Sequence, residues 1–280
     1  MNEESFDKEG SSSPQVRKVT WLGLSEKGVP KDVRKLIYHM LTSLERVTVE
    51  SAHGVEGALR EGKHRVCGQA AAKGYLNILK WAKKNGCTWD SGTCVYAALG
   101  GHLHVLKWAR KNGCDWDSSI CAEAARGGHL HVLQWARENG CEWDERTRSE
   151  AAFRGHLDIL RWAHENGCKG SSSTCAEAAF GGHLNVLKWA REIGCEWDYK
   201  TCAFAARGGF LDVLKWAREN GCEWDKTTCL AAAFGGHLDV LKWARENGCE
   251  WDYKTCAVAA FKGHLDILKW ARENGCPCKN

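Results

Sequence analysis

The amino-acid sequence predicts an all-α solenoid in which eight short helical hairpins stack in a row. A Gly-Cys dipeptide recurs at intervals of 27 residues from Cys87 to Cys276, and the Trp of segments such as "LKWAR" follows the same interval. The eight units occupy residues 60–275 without an insertion or a deletion. A short, strict period is the signature of a repeat architecture, because one unit cannot bury its own apolar face. Stacking of the units is therefore expected to build the core.

The chain before the repeats has a different character. Residues 1–20 are polar, Ser-rich and charged, without an apolar signal core or an Arg-rich transit pattern, and we expect a disordered tail there. In residues 21–59, Pro30 stands at the first turn of an amphipathic helix that includes Leu36 and Met40. Because the first repeat of a solenoid needs a cover, we interpret residues 21–59 as an N-terminal helical cap.

The first helix of each unit is predicted from a face of small residues. In the last unit, "TCAVAAFKGH" places Cys256, Ala260 and Gly263 at positions i, i+4 and i+7, which lie on one side of an α-helix. Small side chains on this side let a neighbouring helix approach closely. We therefore expect the first helices of successive units to pack against one another.

The second helix of each unit is predicted from bulky apolar residues and a stop signal. Leu265, Leu268 and Trp270 supply the apolar surface of the last unit. Asn274-Gly275 then provides the left-handed conformation that ends helices. Residues 276–280 are expected to form a short C-terminal tail.

The units resemble ankyrin repeats. The segment "GHLDILKWARENGCEWD" resembles the second helix and the following turn of an ankyrin repeat, and "TCAVAAFKGH" resembles its first helix. Against the ankyrin period of about 33 residues, about six residues are missing between Asp252 and Thr255, where the family forms a β-hairpin finger. The resemblance covers residues 60–275 and implies eight stacked ankyrin-like repeats that lack the fingers. Shortened Trp- and Cys-rich repeats of this kind are similar to those of large DNA viruses, oomycetes and algae.

Residues 29–52 also resemble the start of an F-box, although Val29 stands where that motif usually has Leu. An F-box docks on the Skp-type adaptor of cullin-RING ubiquitin ligases. The resemblance implies a substrate-recognition adaptor as an alternative to a plain cap, and both interpretations stay open.

The 16 cysteines allow three interpretations: a metal site, disulfides or packing. Structural zinc usually needs four ligands, with paired cysteines about two to four residues apart. Here six residues separate Cys249 from Cys256, and Arg148 replaces the second Cys of the fourth unit. A disulfide between Cys249 and Cys256 would close a short loop. Buried thiols are therefore favoured, with no metal or cofactor, and a metal-binding or redox protein is the less favoured alternative.

Catalysis is not expected. Histidines recur at the start of the second helix in most units, whereas a catalytic site is unique, and we expect these histidines to form hydrogen bonds at the helix junction. No phosphate-binding loop, nucleophile elbow or paired-carboxylate motif is present in the sequence. We therefore assign no catalytic residue and predict that the protein is not an enzyme.

Charge and hydropathy bear on the partners. The chain has 39 basic and 35 acidic residues, and the two signs alternate, so a nucleic-acid partner is not expected. No apolar run approaches the roughly 18 residues of a membrane helix, so no membrane partner is expected either. We predict a cytoplasmic or nuclear monomer in a reducing compartment.

A binding face is predicted from positions that vary between units. Identical positions are expected to hold the stack, whereas the residues two and five beyond the Cys of each first helix change and point away from the core. In ankyrin repeats the first helices line the concave surface, so the resemblance implies that a protein partner binds there. Exposed aromatic and Arg side chains are common interface anchors. Arg154 is included because it is one of the irregular residues of the fourth unit. The other predicted partner-binding residues are Tyr96, Leu99, Glu123, Arg126, Glu150, Phe153, Glu177, Phe180, Phe204, Arg207, Phe234 and Phe261.

Overall fold

A computed structural model describes residues 67–84, 90–168 and 172–277 of the chain. The predicted tail, the predicted cap or F-box-like segment and the end of the C-terminal tail lie outside these residues. In the part described, the chain is all-helical, with sixteen helices and no strand. The predicted all-α solenoid is confirmed.

The helices alternate along the chain as first and second helices of successive repeats. Odd-numbered helices are first helices and even-numbered helices are second helices. They are α1 (67–72 in the described part), α2 (Leu76–Lys84), α3 (Ser91–Leu99), α4 (Leu103–Lys111), α5 (Ser119–Arg126), α6 (Leu130–Glu138), α7 (Glu145–Arg154), α8 (Leu157–Glu165), α9 (Ser172–Phe180), α10 (Leu184–Glu192), α11 (Tyr199–Gly208), α12 (Leu211–Glu219), α13 (Lys226–Gly235), α14 (Leu238–Glu246), α15 (Tyr253–Lys262) and α16 (Leu265–Glu273).

The helix ends follow from the residues at their caps, as the sixth repeat shows. Asp198 caps α11 by accepting a hydrogen bond of 2.9 Å from the backbone N–H of Lys200. The helix ends at Gly209, whose φ of 82° is left-handed. After α12, the Asn220 amide donates to a carbonyl of the last turn at 2.8 Å, and Gly221 has φ 84°. The predicted Asn-Gly stop is confirmed.

Small residues bring the first helices together. In α11 the side chains of Cys202, Ala205 and Ala206 are fully buried, and Cα atoms of neighbouring first helices approach within 8 Å along the stack. Approaches of this kind between neighbouring second helices are much rarer. Each second helix packs on the first helix of its own repeat, where Val213 and Leu214 of α12 are fully buried. The stack is therefore tight along the first helices and wider along the second helices.

Aromatic contacts join the turns between repeats to the second helices. The Arg218 guanidinium lies 4.3 Å from the ring centroid of Trp224, and Trp224 meets Trp243 edge to face at 5.7 Å. Because Arg218 lies in α12 and Trp243 lies in α14, each such Arg–Trp–Trp cluster links two neighbouring repeats. Equivalent Trp pairs are Trp116 with Trp135, Trp143 with Trp162, Trp197 with Trp216, and Trp251 with Trp270.

Histidines link most of the described repeats to the repeat before them. The Nε2 atom of His183 lies 3.0 Å from the carbonyl oxygen of Phe153, and its ring packs against Gly155, which has φ 78°. The predicted hydrogen-bonding role of the histidines is thus confirmed, with the acceptor in the preceding repeat. In the sixth repeat, Phe210 packs on Gly182 in the same way but cannot form this bond. The same contact is made by His102, His129, His156 and His264.

The cysteines act as buried thiols. No disulfide links the fourteen cysteines in the described residues, and all are buried. The Cys229 thiol of α13 donates to the backbone carbonyl oxygen of Cys249 at 3.8 Å, and both its hydrogen bonding to Cys249 and its burial raise its pKa. Cys249 also donates to the carbonyl oxygen of Asp225 at 3.2 Å. Cys249 and Cys256, which lie on either side of one turn, therefore pack in different places in the structure. Corresponding thiol pairs are Cys94 with Cys114, Cys121 with Cys141, and Cys202 with Cys222.

Candidate binding face of the first helices

One face of the first helices is left partly open by the stacking. We call it the first-helix face and define it as the residues two, five and six positions beyond the Cys of each first helix, with Arg148 taking the Cys position in α7. In α11 the Ala205 and Ala206 side chains are fully buried, whereas Phe204 is half-buried and Arg207 is exposed. The thirteen predicted residues all belong to this face.

An aromatic row crosses three repeats on the first-helix face. The ring centroids of Phe153 and Phe180 are 5.4 Å apart with an interplanar angle of 38°. Those of Phe180 and Phe204 are 5.6 Å apart at 49°. We expected these rings to be exposed, but they are half-buried, because each ring packs against its neighbour. The row is therefore an ordered ridge with one accessible edge.

Cations extend the aromatic row toward the last repeat. The Arg207 guanidinium lies 5.4 Å from the ring centroid of Phe180 and 4.6 Å from that of Phe234. The Lys262 ammonium lies 4.2 Å from the ring centroid of Phe234 and 5.8 Å from that of Phe261. These contacts make Phe234 and Phe261 part of the same surface, although the Phe261 ring is 84% exposed.

Lys262 is a residue of this face that the sequence analysis missed. It lies six positions beyond Cys256, at the position that Arg154 occupies in α7, where the Arg154 guanidinium is 5.2 Å from the Phe153 ring. The other described first helices from α3 onward have Gly at this position. The sequence could have identified Lys262, because it replaces the Gly that those helices have at this position.

An acidic part of the face lies in the third to fifth repeats. Arg126 approaches Glu123 at 3.6 Å and Glu150 at 3.9 Å. Glu177 is half-buried, and burial, followed by the charge of Glu150, raises the pKa of its carboxyl group. Glu123 and Glu150 therefore share the Arg126 guanidinium, and with Glu177 and Arg154 this part of the face has three carboxylates against two cations and is net negative.

The remaining predicted residues lie at the N-terminal end of the face. Tyr96 is 48% exposed, and its ring lies beside Gly68 of the first repeat. Leu99 is half-buried at the end of α3. The structure therefore brings the predicted residues of α7 to α15 into one connected row, while Tyr96 and Leu99 lie two repeats before the first Phe ring.

Three other kinds of feature could indicate a function in the described residues: a metal site, a membrane-spanning helix or a pocket. No group of three or more His, Cys, Asp and Glu side chains there is placed to hold a metal ion. None of the helices described is both long and apolar enough to cross a membrane. A pocket of about 340 Å³ lies on the second-helix side of the stack, away from the first-helix face, and is lined by Gln134, Arg137, Glu138, Trp143, Trp162 and Asn166.

Comparisons with known proteins give similarities among solved structures only. No protein-family model matches the sequence, and comparison with curated proteins gives no match. Among solved structures, the crystal structure of the human ASB11 ankyrin repeat domain is similar to this chain, with 19% sequence identity and a TM-score of 0.45. The match covers 56% of this chain and 84% of the ASB11 chain.

Proposed function

We propose that this protein binds another protein through the first-helix face. The observation that carries the proposal is the aromatic row of Phe153, Phe180 and Phe204, which continues across repeats on a face that stacking leaves open. Aromatic side chains held by their neighbours lose little conformational entropy on binding, and they are enriched at the energetic centres of interfaces. The function that this geometry supports best is a protein-interaction scaffold.

The packing of the helices supports the same face. The first helices approach one another more closely than the second helices do, so the stack should curve toward the first helices and make their side concave. A concave surface lets several repeats contact one partner at the same time. The small residues Ala205 and Ala206 form the contacts between helices, so the side chains of the face are free to differ from one repeat to the next.

A pull-down tests the proposal. The double variant Phe153→Asp/Phe180→Asp is expected to lose a partner that the original protein captures in an unbiased pull-down with mass spectrometry. Helical content should be retained, because both rings are on the open face, and the melting temperature should fall only by the contact that the two half-buried rings lose. A matched control is Tyr75→Asp/Tyr199→Asp, which changes two exposed aromatic residues at helix N-termini, where Asp is favourable. Unchanged capture by the Phe variant contradicts the proposal.

We also propose, on the sequence of residues 29–52 alone, that the scaffold can act as a substrate adaptor of a ubiquitin ligase. The supporting feature is the F-box-like opening at Pro30, followed by an amphipathic helical pattern. A Skp-type adaptor is then expected to co-purify with the full chain but not with a fragment of residues 58–280. Equal co-purification with both proteins, or with neither, contradicts this second role.

A further inference from the structure

From α7 onward, three cations on the first-helix face have no acidic partner among the described residues. Arg154, Arg207 and Lys262 contact Phe rings, and none of them forms an ion pair with a described residue. Elsewhere on the described surface such pairs do occur, for example Lys226 with Asp252 at 3.1 Å. The three cations are therefore held in place by aromatic rings while their positive charge stays uncompensated.

A carboxylate on the same face lacks a basic partner. Glu177 is half-buried and forms no ion pair with a described residue. The charge of another acid on the face, Glu150, helps to raise the pKa of the Glu177 carboxyl group, and Glu150 shares Arg126 with Glu123. The three carboxylates belong to the third to fifth repeats, where Arg126 and Arg154 leave them in excess by one charge, whereas Arg207 and Lys262 belong to the sixth and eighth repeats.

The face is therefore acidic toward its N-terminal repeats and basic toward its C-terminal repeats. We propose that its ligand is a protein segment that carries the opposite charges in the corresponding order. Apolar side chains of the segment pack on the Phe ridge. Acidic residues at one end pair with Arg207 and Lys262, and a basic residue at the other end pairs with Glu177. This inference rests on the proposed protein-binding function and adds the chemistry and the orientation of the partner.

The environment favours such pairs. A carboxylate that reaches Arg207 or Lys262 displaces water from a cation already packed on a ring, where charge-assisted hydrogen bonds are stronger than in open solvent. Charge complementarity of this kind mainly determines which partners bind, because a wrongly charged segment meets like charges. The Phe ridge supplies apolar area, and the charges decide the sequence and direction of the segment.

A single-stranded nucleic acid fits the face less well, although it too binds to aromatic and cationic side chains. Bases stack on free ring faces, but Phe180 packs against Phe153 and Phe204 and is also covered by Arg207. The carboxylates of Glu150 and Glu177 would repel phosphates beside the ridge. A protein segment is therefore the ligand that the face favours.

The length of the segment follows from the stack. The five first helices from α7 to α15 are separated by four packing distances of about 9 Å, which gives roughly 36 Å. An extended chain of about eleven or twelve residues spans this distance. A displayed library of random peptides of about twelve residues is therefore a suitable probe.

The experiment selects peptides from this library on the full-length protein and on its variants. Peptides selected by the original protein are expected to be enriched in aromatic or aliphatic residues and in Asp and Glu. With Arg207→Glu/Lys262→Glu, the acidic enrichment should disappear or change to Lys and Arg, and acidic peptides should bind at least about tenfold more weakly. The neutral variant Arg207→Gln/Lys262→Gln should reduce the enrichment without reversing it. The control Arg161→Glu/Lys269→Glu makes the same charge change at exposed sites of second helices and should select the same peptides as the original protein.

The outcomes separate this inference from the proposed function. Peptides that depend on Phe153 and Phe180 but show no acidic preference overturn the inference and leave the scaffold function standing. If no selected peptide depends on these rings, the proposed binding face is wrong as well. Binding of a single-stranded oligothymidine probe that is lost in Phe153→Asp/Phe180→Asp would instead identify the face as a nucleic-acid surface. Circular dichroism and melting of each variant confirm that the fold is retained.

Discussion

Arg148 donates a hydrogen bond from its buried guanidinium to the backbone carbonyl of Cys168. In the sixth and seventh repeats the same carbonyl position faces the thiol of Cys202 or Cys229. Arg148 is only 2% exposed, and its Nε and Nη2 atoms have no hydrogen-bond partner among the residues that the structure describes. A cationic side chain therefore occupies a core position that holds a small thiol in the other repeats, at the junction of the fourth and fifth repeats.

We expect Arg148→Cys to stabilise the protein, because it removes a buried charge and restores the thiol of the other repeats. The gain in unfolding free energy should be about 1–3 kcal/mol, measured by urea denaturation. Arg146→Cys is the control, since Arg146 is an exposed residue of the same helix paired with Asp144, and it should change stability by less than about 1 kcal/mol. A less stable Arg148→Cys variant would mean that the buried guanidinium has favourable partners.

Gly155 is expected to be more sensitive to substitution than Gly167, although both have positive φ. A Cβ at Gly155 would lie 2.5 Å from Nδ1 of His183, whereas a Cβ at Gly167 meets nothing within 4 Å. Gly167→Ala should cost about 1 kcal/mol for backbone strain, and Gly155→Ala about 1–2 kcal/mol more for the steric clash. Equal losses in urea denaturation would show that His183 moves aside easily and does not brace the stack.

Stability should fall in mildly acidic solution because of His129 and His183. Burial lowers the pKa of both side chains, so the unfolded chain binds more protons as the pH falls through the ordinary His pKa of about 6.5. The unfolding free energy is therefore expected to decrease from pH 7.5 downward and to level off once both histidines are also protonated in the folded protein.

Phe210, which replaces the histidine in the sixth repeat, shows which substitution can test this explanation. His129→Phe/His183→Phe should have a flatter dependence of stability on pH between 7.5 and 5.5. Urea denaturation at several pH values measures the slopes. The explanation fails if the double Phe variant keeps the full slope of the original protein.

Glu177 is expected to reduce stability at neutral pH. Burial and the charge of Glu150 raise the pKa of its carboxyl group, so the folded protein holds its proton to higher pH than the unfolded chain does. Glu177→Gln should therefore raise the unfolding free energy at pH 7, and the difference should vanish at a pH below about 4, where the acid is neutral in both states. Glu165→Gln, at an exposed site of a second helix, is the control. The same stability difference at both pH values would exclude a charge effect at Glu177.

The thiols are expected to act through packing. Cys202 is fully buried, so Cys202→Ala should cost about 1 kcal/mol, whereas Cys202→Ser should cost more because it places a hydroxyl in the same apolar space. Thermal melting under reducing conditions compares the two variants. A Ser variant as stable as the Ala variant would show that the site is polar enough to satisfy the hydroxyl.

Much of the architecture was predictable from the sequence, because it depends on residues close together in the chain. The 27-residue interval between Cys222 and Cys249 defines the repeat. The spacing of Cys202, Ala205 and Ala206 identifies the helix side that packs, and Asn220-Gly221 marks the helix end. Helical periodicity fixes the angle between such residues within one helix, so these features needed no knowledge of the neighbouring repeats.

The contacts between repeats were decided only by the tertiary structure. His183 meets the carbonyl oxygen of Phe153 in the preceding repeat, and Lys262 meets Phe234 of the preceding repeat. Such contacts depend on how far one hairpin is shifted and rotated against the next, which is set by the packing of all side chains between them. The sequence by itself thus determined the repeating helical unit and the positions that vary, whereas the offset between units decided which of the varying side chains meet.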